Sequence, residues 1–279
     1  MSRAIAVLHG QFGRATLYQL NKAMATHAHR EAHLAFLLEG APCEITVSGN
    51  ANSANFEQTV AVNPWQPHSF EPGDYENGSL FLVLYIKPIW FLECGRSAES
   101  ALRFGRSAIA TNGQIRRLVA LVASLLLDED SSDLFDGYLY ELTRECFEQS
   151  WQWTSPEEVH ALTGRWTGVS DFRIRNSIQL MRDRLGDEFV LDDIARDSGL
   201  SRPHFYKLFR EHVGLTPNLY LNTLKMETSI DRLTLSDDRI TDIGLDLGFA
   251  SQASFTRFFT SNVGIPPTDY RRVTHMREV

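Results

Sequence analysis

Apolar residues follow two different periods along this chain of 279 residues. In the first part they form short runs, separated by turn-forming pairs such as Gly49-Asn50 and Gly73-Asp74. The runs cover residues 4–8, 15–20, 34–38, 44–47, 59–62 and 80–86. Short runs between turns are typical of antiparallel strands, so the pattern predicts a small β-barrel or jelly roll.

After Pro88 the apolar spacing changes to that of helices. Two stripes lie within about residues 112–150, and we predict one helix for each. The first stripe is Ile115, Leu118, Val119, Val122, Leu125 and Leu126; the second, at a spacing of four, is Leu134, Tyr138, Leu142 and Cys146. The plainest interpretation is that both helices close the barrel.

The chain then loses its periodicity over residues 154–170, where Ser, Thr, Gly and Pro accumulate. Such a stretch is typical of an interdomain linker. We therefore predict an α+β protein of two domains, with a β-barrel and trailing helices over residues 1–153 and an all-helical domain over residues 171–279.

An internal repeat dominates the predicted second domain. Residues 193–220 recur as residues 242–270, with eleven identical positions and one inserted residue, Ala250. Agreement of this extent shows that one supersecondary unit occurs twice.

Each copy has the spacing of helix, tight turn and helix. Asp192 and Thr241 are predicted to cap the first helix, and Gly199 and Gly248 to end it in a left-handed turn. The second helix is predicted from a capping serine, a buried face at three-and-four spacing and a closing glycine. These residues are Ser201, Phe205, Leu208, Phe209 and Gly214 in one copy, and Ser251, Phe255, Phe258, Phe259 and Gly264 in the other. A linking helix is predicted over residues 217–235, with Leu219, Thr223, Met226, Ile230 and Leu233 on one stripe.

This outline matches a helix-turn-helix, whose second helix can lie in the major groove of DNA. The packing leaves a polar set outside, and Arg, Lys and Gln in that set can reach phosphates and base edges. The predicted DNA-binding residues are Arg202, Pro203, Tyr206, Lys207, Arg210, Gln252, Ala253, Thr256 and Arg257. A solvated polar face is the alternative for a single copy.

Residues 172–273 resemble the DNA-binding domain of the AraC/XylS family of transcriptional regulators. The resemblance is carried by residues 248–259, which read GFASQASFTRFF, by residues 264–267, which read GIPP, and by Tyr270-Arg271. It implies two helix-turn-helix units, held about one DNA turn apart by the linking helix, that read adjacent major-groove segments. It also implies contact with RNA polymerase and a homodimer, with the helices of residues 112–150 in the dimerisation role.

Bulk charge does not carry this interpretation. Residues 171–279 contain 15 Lys and Arg against 16 Asp and Glu, and the whole chain has a net charge of −8. The DNA-binding prediction therefore depends on local placement, and we expect modest nonspecific affinity.

The location prediction is cytoplasmic, without membrane association. No run of about 18 apolar residues exists, and the first 20 residues do not form a signal peptide. The three cysteines, Cys43, Cys94 and Cys146, lack metal-type spacing, as expected of reduced thiols.

Histidines of the first part resemble the cupin sensor domain found at the N-terminus of many AraC-type regulators. His27, His29 and His33 precede Glu39-Gly40, and His68 follows in a PWQPH segment. Metal-binding cupins place a carboxylate near the position of His33. The prediction is a polar pocket for a small-molecule effector, made by His27, His29, His33, Trp65, His68 and Phe70, with no cofactor firmly assigned. Four imidazoles around Zn, Ni or Fe are the alternative for His27, His29, His33 and His68.

Two functions follow from these patterns. The first is a one-component transcription regulator that senses a small molecule and binds double-stranded DNA, with no enzymatic activity. The second is a metal-dependent cupin enzyme fused to a DNA-binding module. The sequence has no nucleophile elbow, phosphate loop or paired acids, so it favours the regulator.

Overall fold

The computed structural model describes residues 2–94, 103–128, 133–151, 169–187 and 191–276. The predicted linker over residues 154–170 lies almost wholly outside these ranges. The chain divides into two compact units. The first unit contains residues 1–159 together with 260–279, and the second contains residues 160–259.

The first unit has the two β-sheets of the predicted jelly-roll type. Its strands are β1 (Arg3–Gly10), β2 (Gly13–Leu20), β3 (Met24–His27), β4 (Ala32–Glu39), β5 (Cys43–Val47), β6 (Asn50–Ala54), β7 (Gln58–Val62), β8 (His68–Glu71), β9 (Ser79–Ile86), β10 (Ala108–Ala110) and β11 (Thr274–Met276). One sheet has the order β10-β7-β4-β9-β2-β1-β11 and the other β3-β8-β5-β6. All pairings are antiparallel except that of β1 with β11.

Strands β2, β4 and β9 of the larger sheet are buried on both faces. Along β4, Leu34 and Phe36 contribute to a core that also contains Ile115 and Leu139, whereas His33 lies on the opposite face, which contacts the smaller sheet. Successive side chains of a strand point to opposite faces, so this alternation gives one apolar core and one inner face with polar groups.

The described residues of the first part of the chain also form three helices: α1 (Pro88–Cys94), α2 (Gly113–Leu127) and α3 (Asp133–Trp151). The predicted stripe of α2 is confirmed, with Ile115 and Val122 fully buried. The predicted stripe of α3 is partly wrong, because Leu134 is 60% exposed while Phe135 and Leu139 are buried. Four residues turn a helix by about 40° more than one full turn, so a strict spacing of four drifts off the buried face.

The first unit also contains the last residues of the chain, which differs from the predicted domain of residues 171–279. Strand β11 pairs with β1, with Leu8 opposite His275. Tyr270 is buried, and its hydroxyl makes a hydrogen bond to His9. These contacts explain why residues 260–279 group with the β-sheets.

The helical part of the chain follows the predicted order. Its helices are α4 (Phe172–Asp183), α5 (Leu191–Asp197), α6 (Arg202–Val213), α7 (Pro217–Leu235), α8 (Ile240–Asp246), α9 (Gln252–Val263) and α10 (Pro267–Arg272). The linking helix α7 has the predicted bounds, and Thr223, Met226, Ile230 and Leu233 are buried on its stripe.

The turns of the repeat are built as predicted. Gly199 and Gly248 have φ of +72° and +76°, which an L-residue with a side chain adopts only with strain. The predicted caps Asp192 and Thr241 are wrong, because both lie inside their helices. The Thr241 hydroxyl instead donates to the side-chain oxygen of Gln252 at 2.7 Å.

Candidate functional site

Helix α6 presents its polar residues on the side opposite its buried phenylalanines. Phe205 and Phe209 are fully buried, and Phe209 makes an edge contact with Tyr220. With these rings fixed, Arg202, Pro203, Lys207 and Arg210 are exposed and Tyr206 is half-buried. The helix therefore offers cations along one accessible face.

Acidic neighbours hold two of these cations at the surface. Arg202 forms an ion pair with Asp192 at 3.1 Å, and Lys207 lies 3.9 Å from Glu211. Exposed ion pairs contribute about 0–1 kcal/mol, so a phosphate can displace the carboxylates at small cost. Tyr206 accepts a hydrogen bond from Asn218 at 3.3 Å.

Helix α9 repeats this arrangement. The Ser251 hydroxyl accepts a hydrogen bond from the amide of Ser254 at 3.2 Å, which caps the helix. Gln252, Ala253 and Arg257 are exposed, and Thr256 is half-buried. In the described part of the chain, Arg257 has no hydrogen-bond or ion-pair partner, so its guanidinium is free for a bidentate contact.

A second candidate site lies between the two sheets of the first unit, where strand register brings four histidines together. His27 pairs with His68 across β3 and β8, and their ring centroids are 4.2 Å apart. His33 lies on β4, and its ring centroid is 4.6 Å from that of His68. His29 follows the end of β3, and its ring centroid is 4.9 Å from that of His33. All four side chains are buried.

Burial keeps these imidazoles neutral. Loss of hydration lowers the pKa of His27 to about 4 and that of His33 to about 3. The same cause, with repulsion between neighbouring imidazoles, places the pKa of His29 and of His68 well below the ordinary value. Neutral rings retain a nitrogen lone pair that can accept a hydrogen bond.

A cavity of about 30 Å³ opens beside the histidines. Its lining comprises Tyr18, Leu20, Met24, His27, His33, Ala35, Ile45, His68, Phe70, Phe81, Val83, Tyr85 and Val263. Of the predicted effector residues, His27, His33, His68 and Phe70 line this cavity. His29 lies behind it against His33, and Trp65 occupies a turn, where its amide donates to the carbonyl of His29 at 2.8 Å.

The sequence prediction missed three polar residues near the histidines, Arg14, Tyr18 and Tyr85. Arg14 lies opposite Tyr85 in the register of β2 and β9, with its guanidinium 3.7 Å from the centre of that ring. Burial opposes the charge of Arg14, yet nearby Tyr270 and Glu31 raise its pKa above the ordinary value. The alternation of Arg14, Thr16 and Tyr18 on one face of an apolar strand was the available signal.

Comparison with known proteins bears on the helical part of the chain. Residues 194–273 match a family described as a helix-turn-helix domain. The HTH-type transcriptional regulator MtrA of Neisseria gonorrhoeae is 27% identical over 111 residues, which are 40% of this chain and 37% of that protein. The matches span about a third to a half of the length of such curated relatives, 37% and 54% in two of them.

Solved structures extend the similarity to the whole fold. A variant of ToxT from Vibrio cholerae in its apo form superposes with a TM-score of 0.59 at 15% identity, covering 95% of this chain and 98% of that one. ToxT bound to an unsaturated fatty acid gives a TM-score of 0.55 at 15% identity, covering 95% and 97%. At this identity the similarity establishes the two-domain fold.

Among the helices described, none is long and apolar enough to cross a bilayer.

Proposed function

We propose that this chain, whose C-terminal part belongs to the AraC/XylS type of helix-turn-helix domain, is a sequence-specific DNA-binding transcription regulator. The observation that carries the proposal is the duplicated helix-turn-helix with its exposed polar faces on α6 and α9. Two such faces fit two consecutive segments of a major groove better than any single small ligand.

Selection of bound fragments from a random DNA pool tests this function. We expect a bipartite sequence whose halves lie about one helical turn apart. Arg257→Ala should weaken binding by about 1–3 kcal/mol and relax the preference at one base, because an arginine can donate two hydrogen bonds to guanine. Arg175→Ala, an exposed arginine on α4 outside the repeat, is the matched control and should leave the selected sequence unchanged.

A selected sequence confined to one groove segment would contradict the use of both units. Equal specificity of Arg257→Ala and the wild type would contradict the role of α9. In either case the fold of each variant is checked by its melting temperature.

The second part of the proposal is that the first unit senses a small-molecule effector. An apolar wall with a few polar groups is the usual composition of a ligand site. A cavity of about 30 Å³ has room for about one water molecule, so an organic effector must displace lining side chains. The ToxT structure with bound unsaturated fatty acid makes an apolar effector the first class to test.

Filling the cavity tests the sensor role. Ala35→Leu adds methylene groups to a buried position on the lining, so the variant should retain DNA binding but lose the response to an effector. Ala61→Leu, at a buried position outside the lining, controls for overpacking, which costs about 1–3 kcal/mol. An effector response that survives Ala35→Leu would contradict this location of the sensor site.

The proposal also includes a homodimer that recruits RNA polymerase and has no catalytic role. Leu127 and Leu134, which end α2 and begin α3, are 57% and 60% exposed and offer apolar surface to a second copy. Light scattering of the wild type should give twice the mass of one chain. For Leu134→Lys, the measured mass should shift toward that of a single chain. A wild-type protein that remains monomeric across the micromolar range would contradict the dimer.

A further inference from the structure

Main-chain carbonyls fix the orientation of three imidazoles in the first unit. In His27, His29 and His68, Nδ1 lies 2.7, 2.8 and 2.8 Å from the carbonyl oxygen of a residue two positions away. A carbonyl oxygen only accepts, so each Nδ1 carries the proton and donates. The lone pair of each neutral ring is therefore on Nε2. Such a second contact is typical of histidines that bind metals, because it sets both tautomer and ring orientation.

The ring nitrogens of these three residues converge. One nitrogen of each lies within 4.8 Å of those of the other two. Two nitrogens that are both about 2.0–2.1 Å from one zinc ion can be at most about 4.2 Å apart. Ring rotations that move each nitrogen by less than about 1 Å would therefore bring all three to the spacing of nitrogens bound to one zinc ion.

One of the three nitrogens lacks any partner in the described part of the chain. Nε2 of His68 is buried and makes no hydrogen bond there, although the residue is only 4% exposed. A buried polar atom without a hydrogen-bond partner destabilises the fold. A ligand that binds this lone pair would remove that destabilisation.

His33 supplies a fourth imidazole. Its Nδ1 lies 2.8 Å from Nε2 of His29, and since that Nε2 accepts, the Nδ1 of His33 donates. An ion that takes the lone pair of His29 breaks this hydrogen bond and leaves His33 available as a further ligand.

Cavity size and donor type narrow the identity of the ligand. The cavity of about 30 Å³ accommodates an ion with about one water molecule without displacement of its lining side chains. Imidazole donors suit Zn, Cu, Ni and Fe, whereas Mg and Ca prefer oxygen ligands.

We propose that His27, His29 and His68, with His33 as a fourth ligand, bind a first-row transition-metal ion between the two sheets of the first unit. The ion binds at the histidine end of the effector cavity. Its binding is independent of the proposed DNA-binding function, although any effect of the ion on DNA affinity rests on that function.

Metal titration of the full chain tests the proposal. The protein is purified without a histidine tag, stripped with a chelator, and titrated with Zn²⁺ against a chromophoric competitor. We expect about one tightly bound ion per chain and a higher melting temperature with the ion present. Absence of a tight equimolar ion in the wild type would overturn the proposal regardless of any variant.

Variants locate the ion. His68→Gln and His29→Gln should each weaken Zn²⁺ binding by more than about 100-fold, beyond the 10–100-fold typical of losing an outer partner. His204→Gln, an exposed imidazole on α6, is the control and should bind as the wild type does. If the variants at positions 29 and 68 retain wild-type affinity, the ion is bound elsewhere and the proposal fails.

Cobalt provides a readout that depends on neither folding of the variants nor DNA. Co²⁺ in an all-imidazole site gives d–d bands without a thiolate charge-transfer band, whereas adventitious binding at cysteine gives that band. A thiolate band in the wild type would contradict the histidine site. DNA selection by the stripped protein is measured in parallel, so that failure of metal binding and failure of DNA binding are recognised separately.

Discussion

Nε2 of His9 lies 2.7 Å from the hydroxyl of Tyr270, although 261 positions separate the two residues. The rings meet edge to face with centroids 6.1 Å apart, and Tyr270 is fully buried. The contact ties strand β1 to helix α10 within the first unit. It also places a titratable ring beside two cations, Arg14 and Lys87.

The position of His9 predicts acid sensitivity of the fold. Burial first, and then the charges of Arg14 and Lys87, lower the pKa of His9 from 6.5 to about 3. Between these values the unfolded chain binds a proton that the folded chain does not, so stability is lost as pH falls from about 6.5 toward 3. His9→Gln should reduce this loss by up to about 1.4 kcal/mol per pH unit. Urea unfolding at several pH values measures the slope.

Tyr270→Phe is the control for this measurement. It removes the hydrogen bond but leaves the half-buried histidine, so the protein should be less stable at neutral pH and retain its steep acid dependence. If stability falls with pH equally in His9→Gln and in the wild type, His9 has the same pKa in the folded and unfolded chain, and the prediction is wrong.

The two turn glycines predict different tolerance of a side chain. Both have positive φ, but a Cβ at Gly199 would meet nothing within 4 Å, whereas one at Gly248 would lie 3.1 Å from the carbonyl oxygen of Gly186. Gly199→Val should cost about 1–2 kcal/mol from backbone strain, and Gly248→Val should cost more and abolish specific DNA binding. Calorimetry should show the first unit still folded in both variants.

A glycine without strain provides the reference for these substitutions. Gly137 lies within α3, and a Cβ there would meet nothing within 4 Å. Gly137→Ala should therefore stabilise the protein by up to about 1 kcal/mol.

If Gly248→Val melts and binds DNA as the wild type does, the assigned turn is wrong.

Two N-caps of the helical part should differ in importance. The hydroxyl of Thr216 accepts a hydrogen bond from the amide of Leu219 at 3.3 Å, whereas the side chain of Ser201 makes no such bond. Thr216→Ala should cost about 1 kcal/mol of stability and Ser201→Ala clearly less. Thermal unfolding compares them, and an equal loss would show that hydrogen bonding is not the stabilising element.

Lys207 should contribute to DNA affinity without reading sequence. Its ammonium group is exposed and only loosely associated with Glu211, 3.9 Å away. Lys207→Ala should weaken binding evenly across DNA sequences and lower the slope of log affinity against log salt by about 1. Titrations at several salt concentrations, on the selected sequence and on a scrambled one, measure both effects. A change of preference at a single base would instead make Lys207 a sequence reader.

Local signals explain why much of the fold could be predicted. Glycines at 199 and 248 need positive φ, and the stripe of α7 ends where Ser236 follows Leu235, so both features can be read from neighbouring residues. The histidines at 27, 29, 33 and 68 were identified from the resemblance of their spacing to that of a cupin domain. Their convergence in one cluster follows from register, which an alternating pattern specifies once one face is buried.

The features that sequence did not reveal depend on distant partners or weak patterns. Strand β6 contains Asn50, Asn52 and Ser53, a polar run without β-type alternation, and it forms because β5 offers it an edge. The partner of β11 lies at the opposite end of the chain, and a strand of three residues gives no indication of which edge it joins. Arg14 was missed because a charged residue is rarely fully buried.

Pairing of β1 with β11 also affects the order in which the protein can assemble. Strand β1 is synthesised well before its parallel neighbour, residues 274–276. Until then β1 has one open edge, and an open edge can pair with another chain. This contact joins two strands that are far apart in the sequence, so we expect this sheet edge to form late in folding, with chains that lack it the most vulnerable to association.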